Sequence, residues 1–169
     1  MAGRSSLAAG GLRVVVCALG VCSFGAGQTA EPYRYNGNGY VTFGIGRCQH
    51  QVTNISVGVG GEGFLWRGLT LGGDAGYYRF VQRGSYQFGI TALNVGYNFA
   101  QRKRRNEFEP FVNAGVVGVA FGPGVTQSGS VGGGVNMWVK PKLGVRMEGR
   151  VTGFGGEALA MFRVGLVFR

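Results

Sequence analysis

Eight times after residue 40, the chain runs for about ten residues with an apolar side chain at every second position and then breaks at turn residues. Successive side chains of a β-strand point to opposite faces, so a period of two marks a strand with two different surroundings. The pattern is plainest in MFRVGLVFR (161–169), where Phe162, Val164, Leu166 and Phe168 fall on one side and Arg163 and Gly165 on the other. The other segments lie near residues 40–48, 54–65, 69–79, 86–99, 109–121, 130–139, 142–153 and, with the last, 158–168. A run of short strands separated by turn signals predicts an all-β sandwich or barrel.

The two faces decide between a water-soluble and a membrane-embedded fold. One parity collects Val41, Phe43, Ile45, Leu69, Leu71, Leu93, Val95, Val112, Val116, Val131, Val145 and their like, with no charge among them. The opposite parity collects Thr42, Gly44, Ser56, Gly58, Gly60, Thr70, Gly72, Asn94, Gly96, Asn113, Gly115, Gly132, Asn136 and a few charges. A soluble barrel needs a well-charged exterior, and a surface of Gly, Asn and Thr is a poor one. A transmembrane barrel inverts the demand: apolar side chains meet lipid, and small polar ones fill the interior. Glycine makes up 35 of 169 residues, about three times the usual share, which suits a narrow eight-stranded barrel whose interior has room for few large side chains. The expected fold is therefore an eight-stranded antiparallel up-and-down transmembrane β-barrel over residues 40–169.

The first residues differ. MAGRSSLAAGGLR carries only basic charge, VVVCALGVCSF is an apolar run, and GAGQTA supplies small residues, which is the three-part pattern of a secretory signal peptide. The run is short of the about 20 residues of a spanning helix. We expect cleavage near Gly27, giving a signal peptide over 1–27 and a periplasmic linker over 28–39. A lipoprotein signal ending at Cys22 is the rival reading, disfavoured by bulky Val21 before it. Removal of the segment takes Cys17 and Cys22, leaves Cys48 alone without a disulfide partner, and lowers the formal net charge from +10 to +8.

Connections follow the same plan. Trp66-Arg67-Gly68 and Lys140-Pro141-Lys142 read as tight turns, and residues 47–53, 80–85, 121–129 and 153–157 as longer loops at the other end. The segment after the fourth strand, around QRKRR (101–105), is long and basic. Tyr40, Trp66, Tyr77, Tyr78, Tyr86, Tyr97, Phe99 and Phe168 lie near strand ends, as in the aromatic girdles of membrane barrels, while Trp138 has the inward parity.

With these features, and with EPFVNAGVVGV (109–119), VGGGVNMWVKPKLGVRMEGR (131–150) and MFRVGLVFR, the chain resembles the small outer-membrane β-barrel family typified by OmpA and OmpX, in its single-domain form. The resemblance covers roughly residues 38–169. It implies a place in the outer membrane of a Gram-negative cell, contact with outer-membrane lipid and lipopolysaccharide, and a terminal strand recognised by the barrel-assembly machinery through Phe162, Val164, Leu166 and Phe168. Arg169 after Phe168 departs from a pattern that ends on the aromatic residue.

Six charged residues share the inward parity: Glu62, Asp74, Arg146, Glu148, Arg150 and Arg163. Three are acidic and three basic, and enclosed charges need partners. We expect a cross-barrel salt-bridge network that plugs the lumen and serves stability. The alternative is a gate in a narrow, porin-like channel for small solutes or ions, since such networks have more than one pairing.

Other candidates carry less. His50, the only histidine, lies in the first loop beside Cys48; barrel enzymes that use a histidine near a serine are known, but the last strand here lacks a His-x-Ser-Asn pattern, so no catalytic residue and no enzymatic activity are expected. Two ligands are too few for a tight metal site. GVGGEG (58–63) and GAGQTA (25–30) match a dinucleotide fingerprint but open no helix, so no cofactor is expected. QRKRR lacks the interleaved aromatic residues of a nucleic-acid surface, and contact with anionic head groups or periplasmic polymers is the better reading. The sequence names no extracellular ligand.

Overall fold

A computed structural model describes residues 37–48, 53–81, 87–99, 108–121, 124–154 and 156–169. They form eight strands: β1 (Gly37–Cys48), β2 (Thr53–Trp66), β3 (Leu69–Phe80), β4 (Gln87–Asn98), β5 (Phe108–Phe121), β6 (Gly124–Lys140), β7 (Leu143–Phe154) and β8 (Glu157–Phe168). Each pairs antiparallel with its sequence neighbours, and β8 returns to β1 in a closed barrel. The closing register sets Gly39 against Phe168 and Cys48 against Leu159. Closure satisfies every strand's hydrogen-bonding edge, the condition for strands to sit in lipid.

The barrel has a turn end and a loop end. At the turn end, Arg67 and Gly68 join β2 to β3 with φ of 45° and 94°. Two consecutive positive φ values belong to the two-residue turns whose twist matches that of a hairpin. Lys142 and Pro141 make the other two-residue turn, from β6 to β7. In both hairpins the register shifts beside the turn, between Phe64 and Trp66 and between Trp138 and Lys140.

Several expected boundaries move. β1 runs to Cys48 and β2 starts at Thr53, while β7 runs to Phe154 and β8 starts at Glu157, which narrows the expected 47–53 and 153–157 loops. Two further shifts are larger. β1 begins at Gly37, taking Gly37–Gly39 from the segment read as linker. β6 begins at Gly124, so most of the expected 121–129 loop is strand: its residues pair with β5 from Phe121↔Gly124 to Val116↔Gly129. The stretch GVTQSGS looks like loop because it is small and polar, but an extended backbone needs only a partner ladder, and β5 supplies it. The signal-peptide and linker residues up to 36, His50, Tyr86 and QRKRR lie outside the described residues.

The faces separate cleanly through most of the wall. Phe43, Leu93, Val116, Val131 and Phe162 point outward and are exposed, Leu93 to 73%. Thr42, Asn94, Asn113, Arg146, Glu148 and Arg163 point inward and are buried. Most strands have 12 residues. At about 3.3 Å per residue and a tilt of about 40°, such a strand rises about 30 Å, enough to cross an apolar band of about 25 Å.

The inward parity also encloses a second zone, apolar where the lumen was expected to be small and polar. Tyr78, Phe88, Ile90, Ala92, Val117, Val119, Leu159 and Met161 form a buried apolar cluster with Cys48, from strand halves nearest the loop end. The Tyr78 and Phe88 rings stack at 5.4 Å, with Phe80 5.3 Å from Phe88.

Candidate functional site

The charged residues of the lumen start from β7. Arg146, Glu148 and Arg150 stand at alternate positions on its inner face, about 7 Å apart along the strand, so a carboxylate is held between two guanidinium groups. Arg146 Nε donates to Glu148 Oε2 at 3.2 Å, and Arg150 Nε donates to Glu148 Oε1 at 3.0 Å. β8 adds Arg163, the register partner of Glu148, whose Nη2 donates to Oε1 at 2.8 Å.

The remaining acids come from across the barrel. Asp74 on β3 accepts from Arg150 Nη1 at 2.8 Å and from Arg163 Nη1 at 3.2 Å. Glu62 on β2 accepts from Arg146 Nη1 at 3.2 Å. All six residues singled out by parity thus meet in one connected set, bridged by ion pairs from β2 through β3 to β7 and β8. Asparagines add to it: Asn38 Nδ2 donates to Glu62 at 3.3 Å, Asn94 Nδ2 to Asp74 at 2.9 Å and Asn113 Nδ2 to Glu148 at 3.3 Å.

Buried ions are costly unless their hydrogen-bonding capacity is used, and the glycines make the required room. An added Cβ at Gly44 would stand 3.0 Å from Arg163 Cγ, and one at Gly60 would stand 2.6 Å from the Tyr40 ring. Arg146 lies between two aromatic residues, its guanidinium carbon 4.3 Å from the ring centre of Tyr40 and 3.8 Å from that of Phe111. A desolvated guanidinium over a ring face is a favourable contact.

Tyr40 and Tyr78 are therefore corrections to the expected girdle: both are buried in the lumen, at 5% and 2% exposure. Their even numbers share the parity of Thr42 and Asp74, the signal that strict alternation offered. Trp66, Tyr77, Tyr97, Phe99 and Phe168 are exposed on the outer wall. Trp138 is half-buried near the turn end, where the Arg169 guanidinium stacks 3.7 Å from its ring centre and also pairs with the Glu109 carboxylate.

The other sequence candidates are scattered. Phe162, Val164, Leu166 and Phe168 line the outer face of β8. Cys48 is buried and free, and no group of three metal-ligating residues occurs among the described residues. GVGGEG runs within β2, so its glycines open no helix. Asn54, the head of an Asn-Ile-Ser sequence, is fully buried.

No protein-family model and no curated protein matches the chain. Solved structures do. Neisserial surface protein A (NspA) superposes with a TM-score of 0.59 at 13% identity, over 78% of this chain and 94% of that one. The N-terminal β-barrel domain of Pseudomonas aeruginosa OprF gives 0.55 at 18% identity, over 78% and 97%. The outer membrane enzyme PagL gives 0.53 at 14% identity, over 77% and 99%. Identities this low carry the fold alone: the chain has the architecture of the small eight-stranded outer-membrane barrels, and enzymes and non-enzymes share it.

Proposed function

We propose that the protein is an outer-membrane barrel with a structural or surface-interaction role, its lumen plugged at two levels. The observation that carries this reading is the filling of the interior: six mutually paired charges at one level and an apolar cluster toward the loop end. In this reading the chain is exported through the signal peptide of residues 1–27 and inserted by the barrel-assembly machinery, with Phe162, Val164, Leu166 and Phe168 as the recognised face. The turn end then lies in the periplasm, the outer wall contacts lipid and lipopolysaccharide, and no catalysis is performed.

A narrow channel is the second reading. Glu148 is shared by three arginines and Asp74 by two, so each arginine that lets go of one acid still has another beside it.

Membrane fractionation, electrophoretic mobility with and without boiling, and planar-bilayer recording test both. The plugged barrel fractionates with the outer membrane, migrates faster unboiled and passes no steady current. Recovery in the soluble periplasm with a single mobility would overturn the membrane reading, and steady wild-type conductance would replace the plug with the channel.

A further inference from the structure

Toward the loop end, the outer wall of β7, β8 and β1 carries an open groove of about 530 Å³, whose outward-facing lining includes Ile45, Arg47, Gly149, Val151, Ala160 and Phe162. Register explains its shape. Ala160 stands between Val151 and Arg47, and one row nearer the turn end Phe162 stands between Gly149 and Ile45. Apart from its chain neighbours, a Cβ at Gly149 would meet nothing nearer than the Gly133 carbonyl oxygen at 4.0 Å. Packing within the barrel therefore does not require a glycine there.

Arg47 interrupts the apolar character of this wall. It is exposed, and its side chain makes no ion pair or hydrogen bond with another described residue. Thr53, its register partner on β2, also lines the groove and adds a hydroxyl beside it. On the same seam Gly39 pairs with Phe168, eight residues before Arg47. At about 3.3 Å per residue and a tilt of about 40°, Arg47 stands about 20 Å above that row, near the outer boundary of an apolar band about 25 Å tall.

A cation at head-group height over a groove that descends into the apolar band is matched by a molecule with both a phosphate and an acyl chain. The guanidinium fork suits phosphate oxygens, and an aliphatic chain gains by covering the wall below. We propose that this groove binds lipopolysaccharide of the outer leaflet, with a lipid A phosphate on Arg47 and an acyl chain over Ala160 and Gly149. The inference rests on the outer-membrane reading above, in which the loop end faces outward.

Native mass spectrometry of the purified, delipidated protein in detergent micelles, titrated with lipid A carrying its phosphates, tests it. The expected result is a saturable complex of one lipid A per barrel. Arg47→Gln should weaken it about tenfold or more, the loss of a charge-assisted hydrogen bond, and removal of the phosphates from the lipid should do the same. Gly149→Leu, which fills the groove and leaves Arg47 in place, should also weaken it. Arg79 is exposed on the outer wall at the same end but does not line the groove, so Arg79→Gln should bind as wild type does. Wild-type affinity in folded Arg47→Gln or Gly149→Leu would overturn the proposal, as would an equal loss in Arg79→Gln or equal binding of phosphatidylglycerol. The dephosphorylated lipid decides alone if a variant does not fold. A heat-modifiable barrel that binds no lipid A overturns this inference only, whereas an unboiled band no faster than the boiled one overturns the membrane reading itself.

Discussion

Glu148 and Arg163 are register partners on β7 and β8, and their side chains meet at 2.8 Å inside the barrel. Because Glu148 also accepts from Arg146 and Arg150, its carboxylate neutralises the centre of the network. Glu148→Gln leaves three buried guanidinium groups facing two acids. Breaking a buried pair from one side costs about 3–5 kcal/mol, so the urea midpoint of the barrel in lipid vesicles should fall accordingly. Lys140→Gln at the exposed turn should stay within about 0.5 kcal/mol of wild type.

Leu93 is 73% exposed near the middle of β4. Arginine at the bilayer midplane of a barrel costs about 2–4 kcal/mol. Leu93→Arg should therefore lower folding yield and stability in vesicles. An unchanged yield would mean that this face meets water.

Gly165 and Gly39 separate space from propensity. A Cβ at Gly165 would run into the Val41 carbonyl oxygen and the Thr42 backbone, which cannot move aside, whereas one at Gly39 meets nothing within 4 Å. Gly165→Ala should destabilise by about 1–3 kcal/mol, as overpacking does, and weaken the β1–β8 closure. Gly39→Ala should be nearly neutral. Thermal loss of the fast-migrating band compares the two.

Arg146→Lys keeps the charge and removes the plane that lies against Tyr40 and Phe111. A loss of about 2 kcal/mol is expected from the desolvated ring contacts. Arg146→Met, which also leaves Glu62 without its cation, should cost more in the same unfolding assay.

Leu159 is wholly buried in the apolar cluster toward the loop end. Leu159→Ala should cost about 2–5 kcal/mol, measured by the same denaturant midpoint. A cost near zero would mean that the cluster is loose enough to collapse around the cavity.

Strand count, face assignment and the company of charges were legible because each follows from parity alone. Asp74 and Arg163 lie 89 residues apart, yet both had to point inward once their strands alternated. The same rule places Tyr40, Tyr78, Phe88 and Leu159 inside; reading Tyr40 and Tyr78 as girdle residues gave their position along the strand precedence over their face. The polar GVTQSGS stretch hid the first part of β6, since local composition carries no information about a ladder formed with β5.

By itself, then, the sequence determined which side chains face the lumen, because a period of two is a local property of extended backbone. Which of them touch was decided only by the tertiary structure. Closing β8 against β1 with a particular register brings Glu62, Asp74, Glu148 and the three arginines within hydrogen-bonding reach. It also lays Arg146 between Tyr40 and Phe111. Strand register depends on the stagger of the whole barrel, and no single strand encodes it.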